Sequence, residues 1–241
     1  MKLHHGIANF FGYELSHLKK HHPTLESHLH ILFDLLKIDT VFDVGANKGQ
    51  YGAMLRKMGY QGAIYSFEPV NSCFQDLSTI SASDDNWQVF NYALGEENTT
   101  MDINVMEASE FSSLLKPNDY GKELYAHKIP VKQTESIAIK KLDDVFAEII
   151  NNNSTKLFLK MDTQGYDLKV LAGAKEVLSQ VLGLQSEISL TPLYEGMPDY
   201  LEALSRFKDS GFELTALYPV SRDPDSAALI ELDCIMRKSA N

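Results

Sequence analysis
Apolar residues along this chain switch between two periods, and the switches mark out its elements. Short, nearly unbroken apolar runs fall at residues 41–44, 63–67, 87–94, 157–162 and 183–188, bounded by glycine, proline or polar residues. Runs of that length read as buried strands of a parallel sheet. Between them, residues 50–57, 71–80, 141–150 and 168–179 carry helical character. Alternating strands and helices predict a doubly wound α/β architecture. Towards the end, Tyr200, Leu201, Leu204 and Phe207 make an amphipathic helix closed by Gly211. Residues 212–218 and 228–236 then follow as two strands with no helix between them, which predicts an antiparallel hairpin added to the parallel sheet.

Two regions stand outside the alternation. Residues 96–140 predict strands at 101–105 and 129–134, with Ser112, Ser113 and Leu114 in a polar connector. An insertion of that kind, over the ligand-bearing edge, is where substrate contacts tend to be found. Ahead of the first strand, Ile7, Phe10, Phe11, Leu15 and Leu18 recur at helical spacing. Pro23 is expected to start a second helix with Leu25, Leu29, Leu32, Leu35 and Leu36 on its apolar side. The organisation read from the pattern is an N-terminal helical extension over 1–38 and one α/β domain over 39–241.

Composition narrows the function. A hydrophobic content of 44% provides for a sizeable core, and a net charge of −11 counts against a nucleic-acid surface. Cys73 and Cys234 are far apart and read as buried thiols of a reducing compartment. No apolar run approaches a membrane span and no signal-peptide core is seen, so a cytoplasmic protein is expected. Seven histidines (His4, His5, His17, His21, His22, His28, His30) precede the first strand. His17 and His21 share a helical spacing used by metal ligands, but no cysteine or ordered carboxylate accompanies them, and a partly exposed cap is expected. His127 lies alone in the insertion as a candidate acid–base group.

The chemistry concentrates at strand ends. Residues 41–51 read Val-Phe-Asp-Val-Gly-Ala-Asn-Lys-Gly-Gln-Tyr, a strand, a tight turn and a helix start. Gly45 and Gly49 let the backbone turn sharply and approach a ligand, and Asp43 can accept from an ammonium or hydroxyl. A dinucleotide fingerprint needs a glycine where Asn47 stands. The D-x-G-x-N-x-G spacing suits S-adenosylmethionine (SAM), whose amino-acid tail is cationic and which has no pyrophosphate. Glu68 ends the second strand, 25 residues (68 − 43) after Asp43, where a carboxylate holds both ribose hydroxyls. Asn91 and Ala93, at the end of the third strand, are expected to border the adenine. Lys160 and Asp162 share a face of the fourth strand, with Asp162 the expected partner of the buried lysine. Glu187 ends the fifth. Asp43, Glu68, Asp162 and Glu187 thus converge on the edge where ligands bind in open parallel sheets.

Together residues 41–51, Phe67-Glu68-Pro69, Asn91-Tyr92-Ala93-Leu94, Ser112-Ser113-Leu114, residues 159–167 (Leu-Lys-Met-Asp-Thr-Gln-Gly-Tyr-Asp) and Glu187 resemble the FkbM-type methyltransferases over about residues 38–238. Most specific is the K-x-D-x-Q-G-Y block followed by Val170, Leu171, Gly173 and Ala174. Asp167 stands where the family usually has glutamate. The resemblance implies a Rossmann-like SAM methyltransferase fold and O-methylation of a hydroxyl on a sugar, glycan or polyketide-like acceptor. It leaves the acceptor unnamed. The expected cofactor set is Asp43, Gly45, Ala46, Asn47, Gly49, Glu68, Asn91 and Ala93; the catalytic set is Asp162, Lys160 and Glu187. Asp162 is the first choice for a base, with Lys160 tuning it or steadying the alkoxide and Glu187 holding the acceptor. A rival arrangement has Asp162 and Glu187 ligating Mg²⁺. An NAD-dependent oxidoreductase, a non-catalytic SAM-fold binding protein and an RNA 2′-O-methyltransferase are the alternative readings.

Overall fold
Thr24 sets where the first described helix begins. The computed structural model describes residues 21, 22, 24–150 and 154–239; the helix expected over 7–18, Pro23, and His4, His5 and His17 lie outside them. The Thr24 hydroxyl accepts from the Ser27 N–H and the Ser27 hydroxyl accepts from the Thr24 N–H, a reciprocal cap that opens α1 (Leu25–Leu36). Leu29, Leu32 and Phe33 are buried at helical spacing, so α1 shares the core of the sheet. Leu35, expected on the apolar side, is off that stripe and 64% exposed.

The chain then runs through β1 (Thr40–Val44), α2 (Gln50–Lys57), β2 (Ala63–Phe67), α3 (Asn71–Ser81) and β3 (Trp87–Phe90). β4 (Ala93–Gly95) leads into the insertion, which supplies β5 (Thr99–Met106), α4 (Asp119–Leu124) and β6 (Val131–Lys141). After it come α5 (Leu142–Ile149), β7 (Leu157–Met161), α6 (Asp167–Ala172) and β8 (Val181–Ser189). The end of the chain is α7 (Tyr200–Asp209), β9 (Phe212–Arg222) and β10 (Leu229–Lys238).

Seven strands form the main sheet in the order β3-β2-β1-β7-β8-β10-β9, and β4-β6-β5 form a second, smaller one. β1, β2, β3, β7 and β8 pair in parallel. β10 inserts between β8 and β9, antiparallel to both. The terminal hairpin is therefore present, with its second strand adjoining the parallel core. Two expected elements are shorter. The strand expected over 87–94 divides, because Asn91 donates to the carbonyls of Glu68 and Pro69 where the chain leaves β3, and Ala93–Gly95 pairs with β6 instead. The helix expected over 168–179 stops at Gly173, where a side-chain carbon would meet the Gly95 carbonyl oxygen at 1.9 Å.

Each face of the main sheet has its own core. Val41, Ile64 and Phe158 pack with Leu29, Leu32, Leu55 and Leu77 from α1, α2 and α3. Phe42, Phe67, Leu159 and Met161 pack with residues of α5, α6 and α7 on the other. Burial of each such side chain is worth roughly 1.5–3 kcal/mol.

A polar row crosses the first of these faces. Lys160 lies directly opposite Asp43, and Asp43 opposite Ser66, in adjacent parallel strands. The Trp87 indole donates to the Ser66 hydroxyl at 3.0 Å, and Ser66 donates to Asp43 Oδ2 at 3.1 Å. Asp43 Oδ1 lies 3.0 Å from Lys160 Nζ. Across the next pairing is Gln185, which accepts from the Tyr51 hydroxyl and donates to Asp233 Oδ1.

Removing one end of a buried ion pair strands the other charge, at a loss of about 3–5 kcal/mol. Lys160→Met is expected to lower unfolding stability by about that amount, and Asp43→Asn added to it to recover more than half. Urea titration reads both; a Lys160→Met midpoint equal to the parent's would show that the pair holds nothing.

Candidate active site
The turn after β1 is built by positive backbone angles: Gly45 has φ +74°, Asn47 +48° and Gly49 +89°. At Gly45 a side-chain carbon would lie 2.0 Å from the Asp162 carbonyl oxygen, so the turns after β1 and β7 touch backbone to backbone. The N–H groups of Gly45 and Ala46 both donate to the Phe67 carbonyl. Glu68 then closes the turn: Oε2 accepts from the Asn47 N–H and Oε1 from the Val70 N–H, each at 2.8 Å. Burial pushes the Glu68 carboxyl up to about 7, against the lowering effect of those two N–H groups and of Lys160.

A cleft of about 650 Å³ opens beside it, lined by Gly45, Asn47, Glu68, Val70, Ala93 and Leu94 among others. Asn91 is turned away from this cleft onto the Glu68 and Pro69 carbonyls. Asp43 is fully buried, and the ammonium it meets is the protein's own Lys160. Gly49 sits under Leu77 and Trp87 at the start of α2.

A second cleft, about 820 Å³, lies on the other side of the same turn and is lined by Ala46, Tyr51, Lys160, Gln185, Glu187 and Asp233 among others. Gly45, Asn47, Glu110 and Asp162 line both clefts. Asp162, directly after β7, is one of the two carboxylates that both share, and its side chain is 35% exposed. Its Oδ1 accepts from the Gln164 amide at 3.1 Å, and its Oδ2 lies 3.6 Å from Lys160 Nζ.

Lys160 is closer to Asp43 than to Asp162, the partner expected from spacing, and it donates to the Gly45 carbonyl at 2.9 Å. Burial lowers its pKa, but Asp43 and Asp162 outweigh burial and raise it above the ordinary lysine value, so the ammonium is held charged. Glu187 stands in β8 opposite Asp233 in β10, the strand that also carries Glu231. Burial first, then Asp162, Glu231 and Asp233, push its carboxyl well above the usual range. Asp233 rises to about 6 for the same first reason. His127 is exposed in a turn of the insertion and lines neither cleft.

Several residues here escaped the sequence reading. Glu231 and Asp233 carry a signal, acids at alternate positions of an otherwise apolar strand. Gln164 and Tyr51 lie within the quoted motifs but their partners are distant in sequence, and Gln185 carries no local signal, since its contacts run across the sheet. Asp167, the departure from the family's glutamate, accepts from the Thr163 N–H and from the hydroxyls of Thr163 and Ser186, holding the loop after β7.

The first cleft fits SAM in kind: a carboxylate with spare lone pairs for ribose hydroxyls, beside an apolar wall of Val70, Ala93 and Leu94 for a purine. No group of three or more His, Cys, Asp or Glu side chains among the described residues is arranged to hold a metal ion. No helix among them is long and apolar enough to cross a membrane.

Residues 43–214 match the family model of the methyltransferase FkbM domain. The chain is 26% identical over 216 residues, 84% of each chain, to the 2-O-methyltransferase NoeI of Sinorhizobium fredii (strain NBRC 101917 / NGR234). Among solved structures it is similar to an rRNA methylase from Streptococcus thermophilus (10% identity, 89% of this chain and 96% of that one, TM-score 0.45). It is also similar to Aeropyrum pernix fibrillarin with natively bound SAM (12% identity, 81% and 66%, TM-score 0.45). At these scores the structural likenesses add nothing to the strand order and the family match.

A carboxyl whose folded pKa lies above its unfolded value binds its proton more tightly when folded, so its contribution is full below the unfolded value and is lost as pH rises through the folded one. For Glu68, between the ordinary 4.5 and about 7, that is on the order of 3 kcal/mol. The melting temperature of the ligand-free protein should therefore rise as pH falls from 8 to about 5.5, and Glu68→Gln should flatten the rise. A melting temperature independent of pH over that window would contradict the burial argument.

Proposed function
The chain belongs to the FkbM methyltransferase family and is a SAM-dependent methyltransferase; from that premise we propose that it methylates a hydroxyl oxygen of a sugar, glycan or polyketide-like small molecule. The observation that carries this reading is the position of Asp162, a carboxylate that lines both the first cleft and the acidic cleft beside it and is held there between Lys160 and the Gln164 amide. The 2-O-methyltransferase relative supports oxygen as the acceptor atom.

When bound, SAM supplies a methyl group on a sulfonium, open to in-line displacement. The protein's part is alignment and proton management. Glu68 accepts hydrogen bonds from the ribose hydroxyls, while Gly45 and Asn47 bring the backbone close to the ligand. Asp162 accepts the hydrogen bond of the acceptor hydroxyl and takes its proton as the oxygen attacks. Lys160 is occupied by Asp43 and the Gly45 carbonyl, so its role is to hold Asp162's charge in place. Glu187, with its raised carboxyl, holds a second hydroxyl of the acceptor. Glu110, Asp162, Glu187 and Asp233 line the acceptor side, which suits a neutral polyhydroxyl compound and disfavours phosphorylated or nucleic-acid acceptors.

Two substitutions separate cofactor binding from chemistry. Glu68→Ala is expected to weaken SAM binding by about ten- to a hundredfold by calorimetry, as loss of hydrogen bonds to a charged group implies. Asp162→Asn should leave that affinity within about threefold and cut kcat by about 10²–10⁴, measured with labelled SAM against a panel of glycan and small-hydroxyl acceptors. Full turnover by Asp162→Asn would remove it from the mechanism, and arrest of the parent enzyme by EDTA would return a metal to it.

A further inference from the structure
Gln164 holds a backbone angle, φ +51°, that side chains rarely adopt, immediately before Gly165 at +95°. Glycine would take that angle without strain. A glutamine there is therefore kept for what its side chain does. Its Nε2 donates to Asp162 Oδ1 at 3.1 Å, and its Oε1 accepts from the Tyr194 hydroxyl at 3.1 Å. Its backbone carbonyl accepts from the Ser113 hydroxyl at 2.8 Å. Tyr194 is buried, and its hydroxyl also lies 2.9 Å from the Phe111 carbonyl.

The charge on Asp162 decides which way this amide faces. An ionised carboxylate accepts only, so the amide must present its NH₂ to Asp162 and its oxygen to Tyr194. The tyrosine hydroxyl has both the Gln164 amide oxygen and the Phe111 carbonyl as acceptors within reach. With Lys160 near the other oxygen, the plane of the Asp162 carboxylate is fixed from both sides. Phe111 and Ser113 belong to the insertion, whose Ser109, Ser112 and Leu114 line the first cleft. The amide thus joins the carboxylate to the wall of the site.

We propose that Gln164 is a positioning residue for methyl transfer, whose amide orients the Asp162 carboxylate towards the acceptor hydroxyl and ties that orientation, through Tyr194 and Ser113, to the insertion. This rests on the reading of Asp162 as the group that takes the acceptor's proton.

The test uses the full chain and three variants: Gln164→Gly, Gln164→Glu and Asp162→Asn. Gln164→Gly relieves the backbone angle, so its melting temperature should not fall and SAM affinity should stay within about threefold, while kcat drops about 10–100-fold through misplacement of the carboxylate. Gln164→Glu is nearly the same shape and sets a second carboxylate against Asp162. The Asp162 ¹³Cγ titration in the ligand-free protein, assigned by its loss in Asp162→Asn, should then move to higher pH, and the acidic limb of kcat with it. In the Asp162→Asn background, Gln164→Gly should add little further loss, because both act through one group. Parental kcat in Gln164→Gly, an unmoved titration in Gln164→Glu, or full additivity with Asp162→Asn would each overturn the proposal. Full turnover by Asp162→Asn alone would instead fail the reading beneath it.

Discussion
The buried pair of Asp43 and Lys160 is the constraint on which the site depends. A charge without water is tolerated only when it is matched, and here each partner has a second tie: Asp43 to the Ser66 hydroxyl, Lys160 to the Gly45 carbonyl. Through those ties the ammonium holds β7, the turn after β1 and, by way of Asp43, β2 in one arrangement. The close approach of Gly45 to the Asp162 backbone makes the same join by steric fit, leaving no room for a side chain between the two turns. The outcome is a site whose two working ends share their supports.

Electrostatics divides that site into unlike halves. Beside the first cleft Glu68 is braced by two backbone N–H groups, while Glu110 and Asp162 face both clefts. On the acceptor side carboxylates crowd together, and Glu187 and Glu231 can hydrogen-bond each other only if one carries a proton. The acid-lined second cleft agrees with the overall charge of −11 and with the proposed acceptor, one that brings hydroxyls and no phosphates.

The fold was largely legible because its signals are local. Apolar runs of strand length, glycine at turns and the missing helix between the last two strands are each readable within a few residues, and they gave the parallel sheet and its terminal hairpin. The turn at Gly45, Asn47 and Gly49 was legible for the same reason, and Asn47 rightly counted against an NAD-dependent oxidoreductase. Pairings between distant elements were not. Spacing alone made Asp162 the partner of Lys160, whereas the register of β1 against β7 brings Asp43 nearer. Asn91 was placed at the adenine by strand position, but its amide serves the turn after β2. Leu35 fits an apolar stripe on paper and faces water, since only the sheet beneath α1 decides which stripe is covered.

The polar row across the sheet also acts on assembly. Gly45 and Lys160 are 115 residues apart in sequence, so β1 and β7 meet only after a long loop closes, a slow step for any parallel sheet. Side chains alternate faces, and a slip of one residue in β7 would drive the lysine into the layer of Phe42, Leu159 and Met161. A misaligned sheet would therefore bury a bare ammonium in hydrocarbon and leave Asp43 bare as well, an error far larger than an ordinary packing fault. The same residues that hold the finished site thus proofread the alignment of its strands, and a molecule that has closed on the wrong register is driven to reopen before it can bind anything.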